Sequence, residues 1–185
     1  MKKQMLIFAL GSLMLSHFAF AHNLQLEQSL PSVKVAEYGE IILAGKETKF
    51  QTWTSSSLAG KVRVIHHLAG RTAAKEKNQG MIDAIKAARF APIHYQTTTI
   101  INADDAIVGT GMFVKNSAEK GKIENPHSQV VLDDKSAVKK AWHLNAKDSA
   151  IIVLDKRGKV KFVKEGKLSQ ADIQAVISLV TELTK

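Results

Sequence analysis

Ala150–Leu154 is an unbroken run of five apolar residues. A strand that is apolar at every position is stable only when both of its faces are covered. That single requirement excludes a simple two-layer hairpin protein and calls for a sheet with a layer on each side. Asp155-Lys156-Arg157-Gly158 then reads as a turn. Lys159–Val163 alternates like an edge strand, with Val160 and Phe162 as its apolar members, and completes a β-hairpin. Ser169 is placed to cap a final helix, with Asp172 three residues on in the capping-box position. Ile173, Val176, Ile177, Val180 and Leu183 form an apolar stripe at helical spacing, which predicts packing of this helix on the sheet.

Upstream, strands and helices alternate. A β-hairpin is expected from Glu40–Leu43 and Lys49–Trp53 joined through Gly45, followed by a loop over Thr54–Gly60. Val62–Leu68 is β-rich, and Ala73–Phe90 has helical composition with Met81, Ile82, Ile85 and Ala88 on one face, stopped by Pro92. His94–Asn102 carries three threonines and two isoleucines and favours a strand. A short helix is expected around Phe113–Lys120, ending at Gly121, then a brief strand at Val130–Leu132 and a helix at Ser136–Trp142. βα alternation gives parallel pairing and the closing hairpin adds antiparallel strands, so the class is α/β with a mixed sheet.

This order resembles the thioredoxin fold of exported thioredoxin-like and peroxiredoxin-like proteins. Gly60–Ile65 is similar to its glycine-led first core strand, and Trp142–Leu144 with Ser149–Val160 to its closing hairpin. Over nearly the whole chain from Gly39 onward, the sequence more closely resembles the YtfJ family of small periplasmic proteins of unknown function. The residues that carry this are Gln96–Ala106, Gly109-Thr110-Gly111, Ser149–Lys156 and Lys164–Ser169. The resemblance implies a three-layer α/β/α domain with an N-terminal β-hairpin at residues 39–55 and a core at residues 60–185. It also implies that a Cys-x-x-Cys would fall near Gly70–Ala74, and a cis-proline at Ser149. The sequence has no cysteine, so thiol–disulfide exchange, thiol peroxidase chemistry and cysteine metal sites are excluded.

The first 21 residues read as a secretory leader. Lys2 and Lys3 precede an apolar stretch over Met5–Leu15, and Ala19-Phe20-Ala21 is an A-x-A cleavage site. Cleavage between Ala21 and His22 leaves a single domain of 164 residues and takes the formal net charge from +9 to +7. No later stretch approaches membrane-spanning length. A basic chain raises nucleic acid as a partner. Export argues against that, and the lysines are dispersed without interleaved aromatics.

Among candidate site residues, His66-His67 comes first. Neighbours on a strand point to opposite faces, so both rings cannot readily hold one metal; buried, hydrogen-bonded histidines are the alternative. His22, as a new N-terminus, offers an amine and an imidazole to copper. Asn102, Asp104 and Asp105 lie just past a strand, where they either bind a hard cation or make caps and Asx-turns. Gly109-Thr110-Gly111 reads as a tight turn and not a dinucleotide loop, and no G-x-S-x-G elbow places a serine nucleophile. Ligands of open α/β sheets bind at the C-terminal ends of the strands. Leu68–Thr72 (with Arg71 and Thr72), Asn102–Asp105 and Ala146–Ser149 are expected to converge there. The reading is an exported, redox-inactive periplasmic binding or accessory module for a small ligand or partner protein, with no cofactor. The alternative is a metal-binding protein using His66, His67 and nearby carboxylates.

Overall fold

The computed structural model describes residues 22–45 and 47–185. The leader and the Ala21 side of its cleavage site lie outside the described residues. Seven strands form one sheet, with Lys34–Ala44 (β1), Glu47–Thr54 (β2), Val62–Ala69 (β3), Tyr95–Asn102 (β4), Gln129–Asp133 (β5), Ser149–Leu154 (β6) and Val160–Glu165 (β7) in the order β2-β1-β5-β4-β3-β6-β7. β3, β4 and β5 are parallel; β1 joins β5 and β6 joins β3 antiparallel. The helices are Thr72–Lys77 (α1), Gln79–Ala88 (α2), Gly111–Glu124 (α3), Ala137–Trp142 (α4) and Gln170–Leu183 (α5).

The covered strand is where the sequence puts it. Every residue of β6 is buried, and its side chains divide between two cores. Ile151 and Val153 meet Val62 and Val64 of β3, Met81 and Ile85 of α2, and Ile173, Val176 and Val180 of α5. On the other face Ala150, Ile152 and Leu154 pack with Ile65, Ile100, Val138 and Trp142 of α4, and with Leu24 from the N-terminal segment. That segment also covers the β7 edge, where Glu27 N–H donates to the Val160 carbonyl and Val160 N–H to that of Gln28. Covering an edge removes a template for unwanted strand pairing. The capping box of α5 is present, with Ser169 N–H on the Asp172 carboxylate at 2.7 Å and Asp172 N–H on Ser169 Oγ at 3.2 Å.

Three boundaries differ from expectation. The hairpin's first strand begins at Lys34 instead of Glu40, because its pairing with β2 shifts between Val35 and Glu40, and this irregularity hides the two-residue period. The expected helix over Ala73–Phe90 is broken at Asn78, whose side chain is engaged by β6 and by the segment that leads into α5. α3 runs through Gly121 to Glu124, and Lys122 holds its end by donating to the Pro126 and Ser128 carbonyls.

Gly39 sits at the irregularity with φ +72°, and a Cβ there would lie 2.2 Å from the Gln51 carbonyl oxygen. Gly39→Ala is expected to cost about 3 kcal/mol or more, through left-handed strain plus a backbone clash that no rotamer relieves. Urea unfolding of the variant checks this; parental stability would show that the β1–β2 bulge is free to rearrange.

Candidate functional site

β3 carries both central histidines, and its pleat separates them. His67 faces the α4 layer, is fully enclosed, and its Nε2 has no hydrogen-bond partner among the described residues. Burial first, then the proximity of His66, pushes its pKa down to about 3; Asp105 opposes the shift, and Lys139 adds to it. His66 faces the α1–α2 layer, and burial lowers its pKa to about 4. Its Nε2 lies 2.9 Å from Ser149 Oγ, which also accepts from Asn78 Nδ2 at 2.9 Å. The Asn78 amide cannot be turned round, because its other N–H goes to the Gly166 carbonyl and its oxygen accepts from Leu168 N–H. Among the described residues His66 Nε2 is the one acceptor within reach of the Ser149 hydroxyl proton, which favours a neutral ring with its own proton on Nδ1. His66 Nδ1 has no partner among the described residues.

The three expected segments do converge. Gly70 N–H donates to the Asn102 carbonyl at 2.8 Å, and Ala69 N–H to that of Asp148 at 2.9 Å. Arg71 Nε donates to the Asp105 carbonyl, and Lys147 N–H to the Asp105 carboxylate at 3.0 Å. The carboxylates are used within the fold. Asp105 pairs with Lys139 at 2.7 Å, and Ser136 Oγ donates to Asp104 at 2.7 Å and to Asn102 Oδ1 at 3.1 Å. Burial alone would raise the Asp105 pKa, but the Lys139 hydrogen bond and the Lys147 N–H outweigh it and hold the carboxyl below its ordinary range. These contacts fasten α4 to the strand ends; neither Asp104 nor Asp105 makes the helix cap or Asx-turn expected of it, because Ser136, Lys139 and Lys147 claim the carboxylates. The proposed metal grouping is not assembled: His66 and His67 point to opposite faces, and His22 lies beside Lys161 and Phe162 in a separate hollow. Among the described residues no cluster of three or more His, Asp or Glu is placed to hold a metal ion.

The open space lies beside the convergence, along the sheet. α2 packs with α5, and α3 covers β5 and β1, so the α-facing side of β4 is left as a groove between the two helices. Thr97 and Thr99 of β4 and His66 of β3 form the floor of an inner cavity of about 340 Å³. It continues past Leu68, Lys75 and Gln79 into an outer cavity of about 670 Å³ lined by Arg71, Thr72, Ile101, Ile107, Phe113 and Val114. Both volumes suit a small-molecule ligand. Two apolar residues of the outer lining are exposed, Phe113 at 74% and Ile107 at 57%, and their chain neighbours Val108 and Met112 are exposed as well. Of the residues singled out from the sequence, His66, Arg71 and Thr72 line the groove, and Ser149 stands behind His66. His67, Asn102, Asp104 and Asp105 do not line it. Thr97, Thr99, Lys75 and Phe113 were not foreseen. The alternation of polar residues in a central strand is the one signal that marked the threonines.

The buried histidines make stability depend on pH. An unfolded histidine takes up a proton near pH 6.5, whereas His66 in the fold resists protonation until about pH 4. The unfolded chain therefore binds more protons between these values, and stability falls as pH drops through that window. For His66 alone the loss is about 3 kcal/mol. Urea midpoints are expected to decline from about pH 6.5 to about pH 5, above the range where most carboxylates titrate. A flat profile there would show that the rings are not held neutral.

Comparison with known proteins fits this picture. Residues 24–183 match the family model described as a bacterial protein of unknown function (YtfJ_HI0045). An uncharacterized protein of Haemophilus influenzae is 77% identical over 100% of both chains, and the uncharacterized protein YtfJ of Escherichia coli is 44% identical over 97% of each. The crystal structure of a thiol-disulfide isomerase from Corynebacterium glutamicum aligns with 88% of this chain and 98% of its own, with a TM-score of 0.57. Its 17% identity speaks for the fold alone. The chain belongs to the YtfJ family, built on a thioredoxin-like fold that carries no cysteine.

Proposed function

We propose that this chain is an exported, redox-inactive thioredoxin-like protein that works in the periplasm as a binding or accessory module. Its ligand sits in the groove between α2 and α3. The observation that carries this reading is the groove itself, open over β4 and floored by a nine-tenths-buried histidine whose Nε2 is tied to Ser149. The absence of cysteine removes thiol chemistry from the fold. The basic leader, apolar stretch and A-x-A sequence support export. A binding role needs only a shaped surface with fixed donors, and such a surface is what remains.

Gly121 provides a direct test. It lines the groove, and a Cβ there meets nothing within 4 Å, so a larger side chain fills the groove without disturbing either core. Protein carried out by its own leader and purified from the periplasm without chelators is expected to begin at His22. Native mass spectrometry is expected to find it with a bound small molecule or partner that Gly121→Phe removes. A full-length chain confined to the cytoplasm would overturn the export reading. A bare mature mass in the parent would overturn the groove reading, and a metal adduct indifferent to Gly121→Phe would favour the metal-binding alternative.

A further inference from the structure

We infer that the groove takes an amphipathic carboxylate, with its anionic head against His66 and Lys75 and its apolar chain running out between Leu68, Ile101, Val114 and Phe113. This inference rests on the binding-module reading and names the chemical class of the ligand. His66 is 3% exposed, and its buried Nε2 side is committed to Ser149. The tautomer that Ser149 favours carries an N–H on Nδ1, the ring nitrogen of this groove-lining residue that has no partner among the described residues. A donor without a protein acceptor on a groove-lining ring is complementary to a hydrogen-bond acceptor on a ligand. A cation or a second donor would leave it unsatisfied.

The charge of the acceptor follows from the walls. Lys75 and Lys86 line the inner cavity, with Glu124 as its one acidic lining residue. Lys75 also lines the outer cavity, so it stands where the two meet. A carboxylate at that junction would accept charge-assisted hydrogen bonds, which are shorter and stronger than neutral ones. From there outward the lining is mixed: Leu68, Ile101, Ile107, Val114 and Phe113 form its apolar part, while Arg71 adds a second cation and Glu76 an acid, and Ile107 and Phe113 are more than half exposed. Exposed apolar patches of this kind mark interaction sites in soluble proteins. A ligand polar throughout would leave these apolar lining residues unmatched, and a purely apolar one would leave the histidine donor unpaired.

Isothermal titration with dodecanoate, held below its micellar concentration, tests the inference. Dodecyltrimethylammonium has the same chain with the opposite charge and serves as the comparison. Dodecanoate is expected to bind about tenfold or more tightly than the cation, and to shift the ¹⁵N signal of His66 Nδ1. Gly121→Phe is expected to abolish the binding. Lys75→Met is expected to weaken it about tenfold, while Lys156→Met, in the exposed turn between β6 and β7, leaves it unchanged. Equal affinity for the two amphiphiles, or dodecanoate binding that survives both Gly121→Phe and Lys75→Met, would overturn the inference. Failure of dodecanoate to bind while the periplasmic protein still carries an adduct sensitive to Gly121→Phe would overturn the ligand class and leave the binding module standing.

Discussion

The side-chain amide of Asn78 makes all of its polar contacts across the sequence: Ser149 at the start of β6, Gly166 beyond β7, and Leu168 before α5. An amide buried to 2% exposure with each group paired is costly to disturb, since removing any partner leaves an unsatisfied group in a low-dielectric interior. Several features depend on it. The break between α1 and α2 occurs there, which turns α1 over the end of β3. The segment entering α5 is pinned before the Ser169 cap begins. Ser149 accepts from it and stands within hydrogen-bond reach of His66 Nε2. One asparagine thus links the helix layer, the closing hairpin and the groove floor.

The opposite face of the sheet has its own polar interior, used differently. Arg63, on β3, donates to the Leu58 and Ser57 carbonyls, to Thr98 and to Gln129, and Gln129 in turn donates to Glu40. This ties β3 across β4 and β5 to the N-terminal hairpin. At the strand ends, Asp133 caps α4 through the N–H groups of Ala137 and Val138, while Ser136 reaches Asn102 and Asp104. Buried polar groups of this kind hold register and specify one arrangement of neighbours. They explain why Asp104 and Asp105, though placed at a strand end, are occupied in positioning α4.

Much of the architecture was legible because it follows from local periodicity. The apolar run of β6, the capping box at Ser169 and the opposed faces of His66 and His67 are consequences of the two- and 3.6-residue repeats. The boundaries that escaped are those set by distant partners. No feature near Asn78 announces that residues about ninety positions away will claim its side chain. The β1 irregularity at Gly39 breaks the alternation by which a strand is recognised. The groove escaped for the same reason: it exists because α2 packs with α5 while α3 settles over β5 and β1, a relation between helices that neither helix shows alone. Thr97 and Thr99 were its local trace. In a central strand, polar side chains on one face mark a face that is not fully covered.

The fold's usual chemistry would require a reactive thiol at the turn from β3 into α1. Here that turn is Gly70-Arg71-Thr72, with Gly70 bonded to the Asn102 carbonyl and Arg71 reaching back to Asp105. The strand ends are closed by these contacts, and the accessible space runs sideways along the sheet. The chemistry of that space is constrained by the state of its histidine. A general acid or base works best with a pKa near the operating pH. His66 at about 4 and His67 at about 3 are both far below neutrality, and each is held there chiefly by burial. A ring that stays neutral across the physiological range transfers protons poorly but presents a donor of constant position and charge. The binding role proposed above would draw on that property.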